Sequence, residues 1–340
     1  METQNATNPV CEIDNDARGT AVSTLYFLLF VPALLLNLIV AWISTHLKSK
    51  STFMVYLKHL VAADLLMTLT FPLRAASEMP NVSEALLAFA CRYSSVIFYL
   101  AMNVSIVLMG LISLDRFFKI VRPGGRLLCQ NLLFSKILSV IVWVLIISSN
   151  TIPVIVTTDQ DPTNKTDSEF CMRMKSDTGK SWHKGVVLFA IFNFWIMCGL
   201  IMFSYTCITK KIVESYRRSN SHNNKGKRKA KVRVFLILAV FLICYAPYYI
   251  IRTPYTNLQI STKDNTKAET TSMVSCTQPM KVIKDLTLWL SALNVCMDPL
   301  IYFFLCNAFR RKFMELVSLN RFFPFLAKST EPSQSSDTSM

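Results

Sequence analysis

Seven long apolar segments limit what this 340-residue chain can fold into. Each has about twenty or more mostly apolar residues, enough for a helix to cross the roughly 30 Å hydrocarbon layer of a membrane. The chain is 52% hydrophobic and only 17% charged, which excludes an ordinary soluble domain. We predict an all-α membrane protein, a seven-transmembrane helix bundle over residues 21–305. The segments are 21 to 44, 53 to 76, 92 to 114, 134 to 157, 185 to 209, 232 to 254 and 286 to 305.

The net charge of +15 is concentrated in loops on one side of this predicted bundle. Residues 210 to 233 hold ten Lys or Arg against the single Glu214, and residues 116 to 136 hold five more. Loops rich in Lys and Arg remain in the cytoplasm, and this rule explains the charge without a nucleic-acid partner. The acidic N-terminal tail is then expected outside, and seven spans place the C-terminus inside.

These boundaries divide the chain into four regions. Residues 1–20 form a polar extracellular tail with no cleavable signal peptide, so the first span is expected to direct its own insertion. After the bundle, residues 306–319 have apolar and basic sides and predict a short amphipathic helix on the inner membrane surface. Residues 320–340 are rich in Ser and Thr and predict a disordered cytoplasmic tail. Thr338-Ser339-Met340 matches the pattern that PDZ domains bind, although a solvated end without a partner fits equally well.

Three N-glycosylation sequons fall in segments that the charge rule places outside the cell. They begin at Asn5, Asn81 and Asn164, and we expect all three to be glycosylation sites. A further match at Asn103 lies inside the third span, where the glycosylation machinery cannot reach it.

Four of the ten cysteines are expected outside: Cys11, Cys91, Cys171 and Cys276. Cys91 begins the third span and Cys171 lies between spans four and five, so a Cys91–Cys171 bridge would tie this loop over the bundle mouth. Cys11 and Cys276 are left as a second pair, which would join the tail to the loop before the seventh span. Four cysteines allow three pairings, and the sequence alone does not choose among them.

The third span, from Cys91 to Lys119, connects the two membrane faces. It is longer than the membrane is thick, so we expect it to tilt across several neighbours. Tyr99 lies near its outer end, whereas Asp115 and Arg116 lie at its inner end. An acid beside an arginine can form an ion pair until the arginine is drawn elsewhere. We therefore predict an outer site and an inner switch joined by one helix.

Polar side chains within the spans are costly, and each therefore indicates a role. Two carboxylates at similar depth cannot both ionise without a cation or a proton. A sodium ion would suit a set of oxygen ligands, and a hydrogen-bonded network with one protonated acid is an equal alternative. The residues of this predicted sodium site are Asp64, Ser105, Asn294 and Asp298. We expect no other cofactor.

A set of residues that occur in order on successive spans carries a family resemblance: Asn37, Asp64, Cys91, Asp115-Arg116-Phe117, Trp143, Pro247 and Asp298-Pro299-Leu300-Ile301-Tyr302. Along residues 21 to 319 the chain resembles the rhodopsin-like (class A) G-protein-coupled receptors. It departs from their usual pattern at Phe117, Tyr245 and Asp298. Within them it looks most like the purinoceptors, in the subgroup of the platelet-type ADP receptor and the UDP-sugar receptor. Three stretches support this: Ser95 to Tyr99, Arg252 to Thr256 and Lys284 to Leu290.

The resemblance implies a ligand site at the outer end of the bundle. Tyr99 would stack on a base, whereas the basic residues and Tyr255 would hold phosphates. Asp285 follows Lys284 directly, and we expect it to point about 100° away around the helix. The implied ligand-binding residues are Tyr99, Lys175, His183, Tyr248, Tyr249, Arg252, Tyr255 and Lys284.

An ADP-like nucleotide or a UDP-sugar is the ligand that this resemblance favours. The alternative is an anionic lysophospholipid, whose phosphate would use the same Arg252 and Lys284. Val154 and Val187 stand where the ADP receptor has asparagines, which favours that alternative slightly. A third interpretation is that these cations only pair with nearby acids or reach lipid headgroups.

The resemblance also implies signalling from the plasma membrane through an inhibitory G protein. A helix of that protein would enter an inner cavity formed by Arg116, Tyr205 and Tyr302 beside Asp115. Arrestin and receptor kinases would act on the Ser- and Thr-rich tail.

Other classes of seven-helix protein fit less well. A retinal protein needs a lysine in the middle of the seventh span, where this chain has Ala292. A transporter would show repeated halves and discontinuous helices, and neither is visible. No cluster of His, Cys and acids has the spacing of a metal or nucleophile site, so we do not expect an enzyme.

Overall fold

Long helices corresponding to the apolar segments make up most of the computed structural model. It describes residues 15–47, 51–122, 131–159, 170–218, 224–261, 270–305 and 307–316. The helices are α1 (Asn15–His46), α2 (Thr52–Ser77), α3 (Glu84–Val121), α4 (Leu132–Val156), α5 (Asp177–Arg218), α6 (Asn224–Ser261), α7 (Thr270–Ala292 continued by Asn294–Leu305) and α8 (Asn307–Leu316).

Six of these helices, α1 to α6, contain a stretch long and apolar enough to cross a membrane. The seventh, α7, begins with polar residues and is interrupted at Leu293. Its second part carries Asp298 and Pro299, so its apolar stretch is shorter. The prediction of an all-α, seven-helix membrane bundle followed by a short helix is confirmed.

Helix α3 is the centre of the bundle. In its most apolar stretch 67% of the residues are buried, against 22% for α4 and for α5. It contacts α2, α4 and α5, while α5 packs on α6, α6 on α7, and α7 back on α1. The lipid-facing sides of α4 and α5 expose large apolar side chains such as Val140 and Phe192, as expected for helices at the edge of a membrane bundle.

Among the residues that the structure describes, π-helical turns interrupt two spans, Ala90–Ser94 in α3 and Ile147–Thr151 in α4. Pro153 follows the second turn and has no N–H to donate to the carbonyl of Ser149. The indole of Trp182 on α5 donates to that carbonyl instead, at 3.2 Å. A neighbouring helix thus satisfies the group that the proline leaves free, as membrane helices require.

Helix α8 packs its apolar side against the end of α7. Phe309 is buried and lies edge-on to Tyr302, with ring centroids 6.5 Å apart, and Phe313 contacts Phe303 at 5.6 Å. Lys312 is on the other side, where it pairs with Glu315 at 3.0 Å. The described helix ends at Leu316, so the end predicted at residue 319 lies outside the described residues.

Several sequence predictions fall on parts of the chain that the structure does not describe. Asn5, Cys11 and Asn164 are among them, so the Cys11–Cys276 pairing and two glycosylation sites remain predictions. The third sequon residue, Asn81, is exposed in the turn between α2 and α3. Its φ of 61° is in the left-handed region, which asparagine tolerates better than most residues.

Candidate functional site

The bundle end near the start of α3, which we call the disulfide end, is covered by a loop joined to α3. Cys91 and Cys171 form a disulfide with Cα atoms 5.3 Å apart, within the usual range. Phe170 and Met174 pack around it in a small buried cluster. The structure therefore contains this predicted bridge.

This loop places Lys175 inside the disulfide end. Lys175 forms a β-bridge with Thr158, and its Nζ donates to the Thr158 hydroxyl at 3.3 Å. The side chain is buried, and burial lowers its pKa from 10.5 to about 8, with repulsion from Arg252 adding to the effect. His183 interacts electrostatically with both cations. Three residues predicted from sequence are thus close together.

Aromatic rings of α3 and α6 form one side of the same region. Tyr99 and Tyr248 stack with ring centroids 6.5 Å apart and planes 25° apart. The guanidinium of Arg252 lies 6.0 Å from the Tyr99 ring, within cation–π range. Tyr249 instead stacks on Phe194 of α5 at 4.2 Å, which makes it a packing residue behind Tyr248.

Lys284 on α7 completes the basic side of the region, but its partner differs from expectation. Its Nζ lies 4.9 Å from the Tyr255 ring centroid and 2.9 Å from Oδ1 of Asp285. The expectation that Asp285 points away from Lys284 is wrong. Both side chains are mostly buried, and a buried charge strongly favours an opposite charge at contact distance.

Arg74 is a further buried cation in this region that sequence reasoning missed. Its guanidinium lies 5.3 Å from the Tyr26 ring and 5.0 Å from the Phe98 ring, and it interacts electrostatically with Tyr99. An arginine in the last turn of a span is ordinarily one that reaches lipid headgroups. The sequence signal was only its position close to Pro72, in the last two turns of α2.

At the opposite end of the bundle, which we call the Asp115 end, the predicted ion pair is absent from the described residues. Asp115 accepts hydrogen bonds from Thr52, and from Lys119 at 2.8 Å. Arg116 lies over the Phe53 ring at 4.1 Å. The i, i+4 spacing places Lys119 on the helix face of Asp115, whereas the next residue, Arg116, is turned about 100° away. The expected Asp115–Arg116 contact is therefore wrong.

A small cavity of about 20 Å³ lies between α2, α3, α5, α6 and α7 near the Asp115 end. Ser113, Tyr205, Asp298 and Tyr302 provide its polar lining, and Arg116 does not reach it. This volume suits one water molecule and excludes a helix. The predicted inner cavity is thus closed in this structure, with two of its expected residues in place.

The four residues of the predicted sodium site form one buried network. Ser105 donates to Asp64 at 3.3 Å, and Asn294 donates to Asp298 at 2.8 Å. Tyr302 also donates to Asp64, at 3.5 Å. One oxygen of Asn294 and one of Asp298 have no hydrogen-bond partner among the described residues. Free oxygens are the ligands that a hard cation prefers, so these residues fit sodium.

Comparison with known proteins defines the class of this chain. Residues 36–302 match the family described as 7 transmembrane receptor (rhodopsin family). Purinoceptor 13 of Homo sapiens is 38% identical over 302 residues, covering 89% of this chain and 82% of the relative. Purinoceptor 14 of Bos taurus is 40% identical over 291 residues, covering 85% and 83%. G-protein coupled receptor 87 of Mus musculus is 39% identical over 291 residues, covering 85% and 77%.

The chain therefore belongs to the rhodopsin family of seven-transmembrane receptors, within its group of purinoceptors. The resemblance inferred from sequence is confirmed. Membership of a receptor family also confirms that the chain is a signalling receptor and not an enzyme. It is a multi-pass membrane protein.

Proposed function

We propose that this chain is a plasma-membrane receptor for an extracellular phosphate-bearing ligand, an ADP-like nucleotide or a UDP-sugar, and signals through inhibitory G proteins. The observation that carries the proposal is the pair of buried cations Arg252 and Lys175. In the described part of the chain, neither has a carboxylate within 4.0 Å. Buried cations that repel each other indicate an anionic ligand that pairs with both.

The remaining residues suit a nucleotide. Tyr99 and Tyr248 offer an aromatic stack beside the cations, and a base can pack on such rings. Arg252 and Lys175 would form charge-assisted hydrogen bonds to the phosphates. Lys284 of α7 and Tyr255 of α6 would close the site. Tyr249 supports Tyr248 from behind, and His183 borders the phosphate side.

The uneven distribution of basic residues between the two ends of the bundle supports the membrane orientation that a receptor requires. The basic loops lie at the Asp115 end, so the positive-inside rule favours the disulfide end outside the cell. Outward movement of α6 would enlarge the closed cavity beside Tyr205 and Tyr302 and admit a G-protein helix near Arg116. For the tail, residues 320–340, we propose arrestin, receptor kinases and a PDZ protein as partners.

The test is a G-protein activation assay with ADP, UDP-glucose and lysophosphatidylserine side by side. Arg252→Ala should raise the half-maximal concentration of the active ligand by about tenfold or more, because a charge-assisted phosphate contact is lost. Lys180→Ala is the matched control, since Lys180 pairs with exposed Asp177 outside the site. Wild-type responses of Arg252→Ala to all three ligands would contradict the proposal.

A lysophospholipid receptor is the second candidate. Val154 and Val187 are both buried apolar side chains, and such side chains suit an acyl chain better than a ribose. Activation by lysophosphatidylserine alone in the same assay would support this candidate. Activation by ADP or UDP-glucose alone would reject it.

A further inference from the structure

A buried series of charges connects the start of α1 to Lys284. Both oxygens of the Asp285 carboxylate are engaged: Oδ1 lies 2.9 Å from Nζ of Lys284, and Oδ2 lies 2.6 Å from Nη1 of Arg18. Arg18 also contacts Glu78 at 3.5 Å. The side chains of Asp285 and Arg18 are only 3% and 10% exposed, so water and salt screen these contacts weakly.

Rigid packing holds Arg18 at this position. Gly19 packs so closely on α2 that an added Cβ would overlap the backbone carbonyl of Glu78. Farther along α1, the indole of Trp289 on α7 donates to the Leu25 carbonyl at 3.1 Å. The first turns of α1 are thus fixed against both α2 and α7, and Arg18 belongs to the bundle.

Among the described residues, Lys284 differs from Arg252 and Lys175 because it already has a carboxylate at contact distance. A ligand phosphate that reaches Lys284 must either displace Asp285 or bind next to its negative charge, and either event weakens binding. Arg18 counteracts this effect, since it shares the Asp285 carboxylate and neutralises part of its charge. Lys281 and Arg74 interact with Asp285 at longer range.

We propose that the Asp285 carboxylate is the counter-ion of Lys284 in the ligand-free receptor, and that Arg18 sets how strongly Asp285 opposes binding of a ligand phosphate to Lys284. Asp285 and Arg18 are positioning residues, because they act on the ligand through Lys284. This inference rests on the proposed function, since it requires a ligand phosphate at Lys284. It adds a residue of α1 to the determinants of ligand affinity.

The experiment uses the purified full-length receptor and three probes: inorganic pyrophosphate, ADP and UDP-glucose. Half-saturating concentrations come from thermal stabilisation of the protein, which needs no G protein. Asp285→Asn should lower the half-saturating concentration about tenfold, because one like charge is removed next to the phosphate. Arg18→Gln should raise it about threefold to tenfold for the opposite reason, and Arg18→Lys should restore the wild-type value.

The double variant Arg18→Gln with Asp285→Asn separates positioning from folding. If Arg18 acts through Asp285, the double variant should bind like Asp285→Asn alone. Additive effects of the two changes, or a loss of affinity in Asp285→Asn, would overturn the inference. If Asp285→Asn does not fold, Arg18→Gln and Arg18→Lys still test the inference. Equal affinity for the probes in these two variants would overturn the inference.

Lys284→Ala distinguishes failure of this inference from failure of the proposed function. Weaker probe binding in Lys284→Ala, together with no gain in Asp285→Asn, overturns the inference and leaves the proposed function standing. Wild-type binding in Lys284→Ala together with weaker binding in Arg252→Ala overturns the inference alone. Wild-type binding in both variants, or no stabilisation of the wild-type protein by any probe, overturns both.

Discussion

The ligand affinity of the site should depend on pH, and the pKa of Lys175 gives the direction of the change. Burial lowers the pKa of this side chain to about 8, so the free receptor loses the Lys175 charge above that pH. A bound phosphate favours the protonated form, and affinity should therefore fall as pH rises from 8 to 9.5, by roughly tenfold. The half-saturating concentration of ADP or UDP-glucose, measured across this range, checks the expectation.

A control variant separates this titration from unfolding. Lys175→Arg keeps its charge at every pH in the range and should show a flat profile. The unfolded chain binds more protons than the folded one between pH 8 and 10.5, because the folded pKa of Lys175 is the lower of the two. As the pH rises through this range, the titration of Lys175 should therefore raise the free energy of unfolding while it lowers the affinity for the ligand. A wild-type affinity that is flat from pH 7 to 9.5 would contradict the assignment.

At the residue scale the sequence predicted which side chains lie close together better than which ones form ion pairs. Asp115 pairs with Lys119 and Asp285 pairs with Lys284, and neither contact was expected. The i, i+4 spacing of Asp115 and Lys119 already allowed the first pair. The second pair could not be read from spacing, because the long Lys284 side chain bends toward its neighbour when burial favours ion pairing. Arg74 was missed for a related reason, since its depth depends on how α2 packs.

At the element scale, Gly19 is a close contact between the first turns of α1 and the end of α2. Gly19→Ala should separate the first turn of α1 from Glu78 and lower the affinity for ADP or UDP-glucose about threefold to fivefold, because Arg18 moves away from Asp285. Gly185 of α5 has no atom within 4 Å of an added Cβ. Gly185→Ala should therefore keep wild-type affinity and add up to about 1 kcal/mol of stability.

The affinities of the two glycine variants can also contradict the expectation that the contact between α1 and α2 influences the site. Equal affinity in Gly19→Ala and Gly185→Ala, at matched surface expression, would show that the α1–α2 contact does not influence the site. Thermal unfolding of both proteins reports whether the change in Gly19→Ala is local or global.

The apolar segments predicted the existence and order of the helices, but they did not predict the helix ends. Residues 185 to 209 marked the fifth span, whereas α5 runs from Asp177 to Arg218. Hydrophobicity reports the part of a helix inside the membrane, and polar turns continue into water on both sides. The π turns had no local sequence signal, because any helix-forming residues can occupy them.

At the scale of the whole molecule, the four residues of the predicted sodium site lie between the disulfide end and the Asp115 end and can couple them. If sodium binds there and favours the closed arrangement, replacing NaCl by choline chloride at equal ionic strength should raise the affinity for ADP or UDP-glucose about fivefold. Equal ionic strength keeps the screening of surface charges constant. Radioligand competition in the two salts measures the difference.

Asp64→Asn is the control for sodium coupling, because it removes one carboxylate and leaves a side chain of the same shape. We expect its affinity to be the same in both salts and equal to the wild-type value in choline. An unchanged salt effect in Asp64→Asn would locate the sodium effect elsewhere in the protein.

Each π turn contains one residue more than an α-helical turn would need. Deleting one residue from Ala90–Ser94 would restore a regular helix and rotate residues 84–89 by about 100° relative to Tyr99. The equivalent deletion in Ile147–Thr151 would rotate the last residues of α4 relative to Trp143. Both rotations would leave the Asp115 end unchanged. Insertion or deletion of single residues is therefore a route by which the disulfide end of such a bundle can be remodelled while its Asp115 end stays intact.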